Sequence, residues 1–379
     1  AADPTPLVRL EWGAYLFAPS KTALNTLQAI AAATVRPAPA WSVSEGLALL
    51  EQLEAADRRL GDAAATLWKA ALEDPEERRL FRSAAIWAAI RAHRGGVLRT
   101  SFGVLVADRE RVMEVFGDRD QRYTVSGYRE RMERSFGSIF LGLDRAASGA
   151  CPYDEQSRRT NVAIQAVPLD QAFDDARKFT HQRLDQMTAV TMAQARAGAR
   201  PTWELTFDVK EVGDDVLACL CEEWFGLPGT GRHLMPGGWR WDWADGSAPL
   251  YPGHFTAPSR YLFQPAPGPS AERIGQHHGQ VLLTAMRAFV AEAGTAGPES
   301  PAGSPAPIGA AIFAAGTDLF GRAGQADARE RWIASTMIGV MVGFLPSVDG
   351  NLRASLNEWL KDGTFWRLRT AIRALPAAP

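Results

Sequence analysis

Residues 331–360, RWIASTMIGVMVGFLPSVDGNLRASLNEWL, constrain what this chain can fold into more than any other stretch. From Trp332 to Gly343 they are almost entirely apolar, but the run is only about a dozen residues, short of the roughly 20 that a bilayer crossing needs. The stretch therefore predicts a buried core helix rather than a membrane span. Pro346 lacks an N–H and its ring meets the carbonyl four residues earlier, so a helix through Gly343, Phe344 and Leu345 is expected to kink or stop there. Apolar residues resume at Leu352, Leu356, Trp359 and Leu360 with charges between them, which is amphipathic spacing. Such a break is either a packing kink between two ordinary helices or room made for a ligand, as freed backbone does at functional sites.

Around this helix the chain has material for a large core. It has 379 residues, 46% of them hydrophobic, enough for one large domain or two ordinary ones. A net charge of −2 gives no polyelectrolyte signal, so neither nucleic acid nor an anionic membrane surface is expected as a partner. Cys151, Cys219 and Cys221 cannot all pair, and the last two face different sides of one predicted helix, so no disulfide framework is expected. The opening AADPTPLVRLEWG has neither a basic segment nor an apolar one of the targeting kind, which makes cytoplasm the expected location.

Taken in order, residues 1–75 predict a helical extension, with Ser42-Val-Ser-Glu45 as a capping box opening a helix through Leu60. Glu76 to His93 predicts a helix ended by Gly95-Gly96, Val97 to Val106 a hairpin, and Asp108 the cap of a helix to Phe116. Arg119 to Gly149 predicts a loop-rich stretch with one apolar patch, Ile139 to Leu143. Tyr153 to Ala166, Asp170 to Ala197 and Glu211 to Phe225 predict helices, with Thr202 to Val209 extended between them. Residues 229–270, with GGWRWDWADGSAPLYPGHF, predict an irregular but ordered loop lined by aromatic rings. Glu272 to Ala293 predicts a helix, 294–306 a surface loop, and the remainder to Ala374 more helices.

No metal or nucleotide motif is present. His277 and His278 lie about 100° apart on a helix and cannot face one ion, and Cys219-Leu-Cys221 reads as core filling.

Residues 93–116, HRGGVLRTSFGVLVADRERVMEVF, resemble the entry of a cytochrome P450 domain: a helix, a two-stranded turn ending in VLVAD, and a helix continuing ERVMEVF. Later segments agree in order. FLGLD at 140–144 and the helix from Tyr153 are similar to the loop and helix lying over the haem, VLACLCEEWFGLP at 216–228 to a helix with its closing turn, and Trp332 to Leu360 to the long distal helix. The resemblance covers about Glu76 to Ala374, so residues 76–379 are expected to form a mainly α, P450-like domain with small β pieces.

Three departures shape what the resemblance implies. Where the family holds haem propionates with a His or Trp and an Arg four residues on, this chain has Tyr153 and Ser157, with Arg158 and Arg159 just after. At the distal kink, Val342 to Pro346 keeps the glycine but puts Leu345 for the acid and Pro346 for the alcohol, which cannot deliver protons to bound dioxygen. No haem-ligand cysteine loop or its partner helix follows. The resemblance thus implies a haem b thiolate oxidoreductase that uses peroxide or rearranges hydroperoxides, acting on a small apolar substrate. Its proximal ligand would come from a missing C-terminal part or a second polypeptide, and without that part the apolar surface of Met337, Met341, Phe344 and Leu345 would be exposed. Gly343, Phe344, Leu345, Pro346 and Ser347 would form the distal face. Tyr153, Arg158 and Arg159 would face the propionates, and Phe140, Leu141, Trp239, Trp241, Trp243, Phe255 and Val348 would line substrate access. The alternative is a haem-free, P450-like binding or scaffold subunit.

Overall fold

The computed structural model describes residues 42–60, 84–100, 103–118, 122–145, 151–197, 208–227, 232–235, 238–242, 249–263, 267–294, 297–321, 325–361 and 363–374. The chain divides into two compact units, 1–124 with 260–275 and 125–259 with 276–379. The expected boundary near residue 75 lies outside the described residues, as do residues 76–83 of the expected helix to His93, residues 202–207 of the expected extended piece, and Trp243.

In the first unit, helix α1 (Val43–Leu60) starts on the expected capping box. The Ser42 hydroxyl accepts from the Glu45 N–H at 3.2 Å, and the Glu45 carboxylate accepts from the Ser42 N–H at 2.8 Å. It packs on α2 (Ala84–His93) with Leu50, Ile86, Ala89 and Ile90 buried. Gly46 allows the close approach, since a Cβ there would stand 2.7 Å from the Ala85 carbonyl oxygen. Arg94 forks onto both carboxylate oxygens of Glu54 at 2.8 and 2.7 Å. Strands β1 (Val97–Thr100) and β2 (Gly103–Val106) form the expected antiparallel hairpin, Val97 opposite Val106. Asp108 then caps α3 (Arg109–Phe116) by accepting from the Glu110 N–H at 3.2 Å.

The second unit is built on one long helix. Its elements in order are α4 (Ser126–Ser135), a single tight turn at Phe140–Gly142, α5 (Pro152–Ile164), α6 (Leu169–Arg196) and α7 (Val209–Phe225). A hairpin of β3 (Arg232–Met235) and β4 (Gly238–Trp241) follows, then α8 (Pro252–Phe263) and α9 (Pro269–Ala293), of which residues 260–275 belong to the first unit, and α10 (Pro307–Phe320), α11 (Ala326–Lys361) and α12 (Thr364–Ala374). Helix α11 packs on α7 and α10, α10 also on α5 and α7, and α6 on α7. Glycines set two of these crossings: a Cβ at Gly316 would stand 2.4 Å from Ile333, and one at Gly309 2.5 Å from the Phe225 carbonyl.

Of the two outcomes expected at Pro346, a kink or a stop, the stop is excluded. Helix α11 runs unbroken for 36 residues through Pro346. A proline inside a helix costs about 3 kcal/mol, but Met341, Val342, Leu345 and Asp349 on either side of it are all buried. Full burial of one aliphatic side chain contributes about 1.5–3 kcal/mol, so two turns of core contact outweigh one lost hydrogen bond. The same packing covers Met337, Met341 and Leu345, which the sequence reading placed on an open wall. By length and composition a window of α11 would suit a membrane crossing, and 61% of that window is buried inside the protein.

Two further stretches carry more order than expected. Residues 119–149 contain α4, whose sequence SGYRERMERS buries only Met132 and Ser135 and so shows no apolar stripe to read. Residues 229–270 contain the β3–β4 hairpin, a bridge from Trp241 to Leu250 with both N–H···O bonds at 2.8 Å, and α8. In the segment expected as a surface loop, Pro298, Ser300 and Ala306 are buried. Gly226, in the left-handed conformation that ends α7 (φ 71°), sits so close that a Cβ would lie 2.7 Å from the Glu299 carbonyl oxygen.

Candidate functional site: an apolar cavity beside the long helix

A cavity of about 480 Å³ opens in the second unit where α5, α7, α10, α11 and the Phe140–Gly142 turn converge. This is within the range of ordinary small-molecule sites. Helix α11 presents Thr336, Gly339, Val340, Gly343 and Phe344, and the turn presents Ile139, Phe140 and Leu141. Thr160 and Ile164 come from α5, Val167 and Ala172 from the corner into α6, Trp224 and Phe225 from α7, and Ile308 from α10. Leu141 and Ile164 are the exposed members, which places the mouth between the turn and the α5–α6 corner.

Local sequence explains the shape. On α11, residues 336, 339, 340 and 343 share one face by their three- and four-residue spacing, and three of the four are Thr or Gly. At Gly339 the missing side chain admits Ile139, whose Cδ1 would be 2.7 Å from a Cβ. At Gly343 nothing lies within 4 Å of the Cβ position, so the missing side chain is cavity space. Neighbouring contacts hold the wall: Phe344 lies 5.6 Å from Trp224, the Trp224 Nε1–H donates to Asp175 at 3.0 Å, and the Trp332 Nε1–H donates to Gln156 at 3.0 Å.

Of the residues expected at a site from the sequence, Phe140, Leu141, Gly343 and Phe344 come together on this wall. Leu345 is buried on another face of α11, Pro346 is half-buried and outside the lining, and Ser347 and Val348 are exposed. Tyr153 stands edge-on to Phe140 at 5.8 Å with the Arg145 guanidinium 4.9 Å over its ring. Arg158 is exposed and paired with Glu155. Arg159 bridges Glu155 at 2.6 Å and Asp318 at 2.8 Å, joining α5 to α10.

The expected access residues Trp239, Trp241 and Phe255 are not at the cavity. They form a buried cluster with centroids 4.2 to 6.0 Å apart, and the Trp241 Nε1–H donates to the buried Glu222 at 2.8 Å. Aromatic density there builds core around the hairpin. Thr336, Gly339, Val340, Thr160, Val167, Ala172 and Ile308 went unnoticed in the sequence. The small-residue face of an otherwise bulky apolar helix was the available signal for the first two.

Haem does not fit the residues of this cavity. No Cys, His, Lys or Arg lines it, and the candidate propionate partners Arg158 and Arg159 are already paired with protein carboxylates. Cys221 is fully buried away from it, and burial pushes its thiol well above the ordinary range, the reverse of what a thiolate ligand needs. Among the described residues, no group of three or more His, Cys, Asp or Glu could hold a metal ion. His254 and His278 do meet, with ring centroids 4.4 Å apart, but His254 Nδ1 accepts from the Tyr251 N–H at 2.9 Å and is occupied.

Compared with family models, curated proteins and solved structures, the chain gives no significant match to any of them.

Proposed function

We propose that this chain is a binding module for a small apolar molecule, held in the cavity beside α11. The observation that carries the reading is the wall itself: a volume of about 480 Å³ bounded by fifteen residues, none of them charged. Burial of ligand hydrocarbon against such a wall supplies affinity at roughly 25 cal/mol per Å² of apolar surface. This is the haem-free alternative raised by the cytochrome P450 resemblance.

One observation bears on the cytochrome P450 resemblance. Its three distal segments, 140–144, the helix from Pro152 and the long helix, all contribute to one cavity. A haem-thiolate oxidoreductase reading rests on the same convergence and needs a proximal ligand from a second polypeptide or from residues beyond the described ones.

The test is occlusion. Gly343→Leu puts a side chain into open cavity space and improves helix propensity by up to about 1 kcal/mol. The neutral fluorescent probe N-phenylnaphthylamine should bind the native protein, and the variant should lose at least about tenfold in affinity while melting no lower. Equal probe binding by a folded variant would move the ligand elsewhere.

A further inference from the structure

Thr336 is an exception among the helical threonines. Thr160, Thr180, Thr188, Thr191, Thr284 and Thr317 each donate the hydroxyl hydrogen to the carbonyl four residues back, at 2.7 to 3.0 Å. Thr336 makes no such bond. It is only 2% exposed, lies on the cavity face of α11 beside Gly339 and Val340, and has no hydrogen-bond partner among the described residues. The Thr336 Oγ1 keeps accessible surface at the cavity, so its hydrogen is available to a bound acceptor.

The other donors on this wall are committed. Thr160 gives its hydrogen to the Gln156 carbonyl at 2.8 Å, and the Trp224 Nε1–H goes to Asp175 at 3.0 Å. A charged ligand group is excluded by the same wall, because no lining residue carries the opposite charge and an unpaired ion in apolar surroundings is strongly disfavoured. We infer that Thr336 selects the ligand: the cavity takes an uncharged, mostly hydrocarbon molecule carrying one acceptor oxygen, a ketone or ester carbonyl, which receives the Thr336 hydroxyl hydrogen. This rests on the apolar-ligand reading and narrows it.

Displacement of N-phenylnaphthylamine by valencene and by nootkatone is the experiment. The two share a bicyclic sesquiterpene skeleton, and nootkatone adds one ketone oxygen. Native protein should favour nootkatone by about 3- to 10-fold, the worth of one neutral hydrogen bond. Thr336→Val, of nearly the same shape, should bind both alike, and Thr336→Ser should keep the preference. Equal binding by native protein, or a preference that survives in Thr336→Val, overturns the role of Thr336 and leaves the apolar site standing. Failure of the probe and both terpenoids to bind native protein overturns the apolar-ligand reading and this inference with it.

Discussion

Ser335 on the long helix donates its hydroxyl hydrogen to the carbonyl oxygen of Phe136 at 2.8 Å, and the glycine after Phe136 leaves the space for it. A Cβ at Gly137, whose φ is 95°, would stand 2.3 Å from that same Ser335 Oγ. The contact ties the end of α4 to the helix that carries the cavity, just ahead of Ile139. Ser335→Ala leaves a buried carbonyl unpaired and should lower unfolding stability by about 1–3 kcal/mol. Gly137→Ala adds a left-handed backbone and a collision to the same loss, and should cost more. Urea unfolding of both variants checks this; a Gly137→Ala protein as stable as the native one would show that the contact does not hold the junction.

Acid should loosen the second unit through His254. Burial, and next the neighbouring His278, lower its pKa from 6.5 to about 4, and His278 is lowered too by burial and His277. The unfolded chain therefore binds protons that the folded one refuses. Stability from this source is complete above about pH 6.5, is lost as pH falls towards 4, and changes no further below that. Urea midpoints measured across this window should fall with pH. His254→Asn, which keeps an acceptor for the Tyr251 N–H, should flatten the slope, and an unaltered slope would assign it to other groups.

Arg158 and Arg159 should separate in their effects. Arg158 makes an exposed pair with Glu155 one turn away, whereas Arg159 is less exposed and reaches Asp318 on another helix. Arg158→Ala should change stability by less than about 0.5 kcal/mol, and Arg159→Ala should cost up to about 1 kcal/mol, less at high salt. Equal effects in thermal melts at low and high salt would remove the interhelical bridge as a contributor.

Haemin added to the purified protein should give no thiolate Soret band in the reduced carbon monoxide complex. Cys221 is buried with its thiol held protonated, and no cysteine lines the cavity. A thiolate band abolished by Cys151→Ala, Cys219→Ala or Cys221→Ala would establish a haem site that the cavity geometry does not provide.

Local signals in the sequence translated directly into local structure. Ser42 and Glu45 cap α1 as spaced, Gly226 ends α7 in the left-handed conformation, and Asp108 caps α3. Each of these interactions spans four residues or fewer, so the chain carries the whole cause within one turn. By contrast, the polar sequence of α4 has no stripe to read, and its helix is recognisable only with Met132 and Ser135 buried against the rest of the unit.

The residues of Trp332 to Gly343 by themselves determined a buried apolar helix, because a run of that composition cannot be left in water. Whether Pro346 ended it was decided by tertiary contacts, since burial of Met341, Val342 and Leu345 exceeds the cost of one missing N–H. Tertiary structure alone also decided that Trp239, Trp241 and Phe255 close on one another while Thr336 and Gly343 face a cavity. Composition says that aromatic rings will be buried and glycines will leave space. Which ring fills which space depends on helices brought together from residues 139 to 344, and no local pattern encodes that juxtaposition.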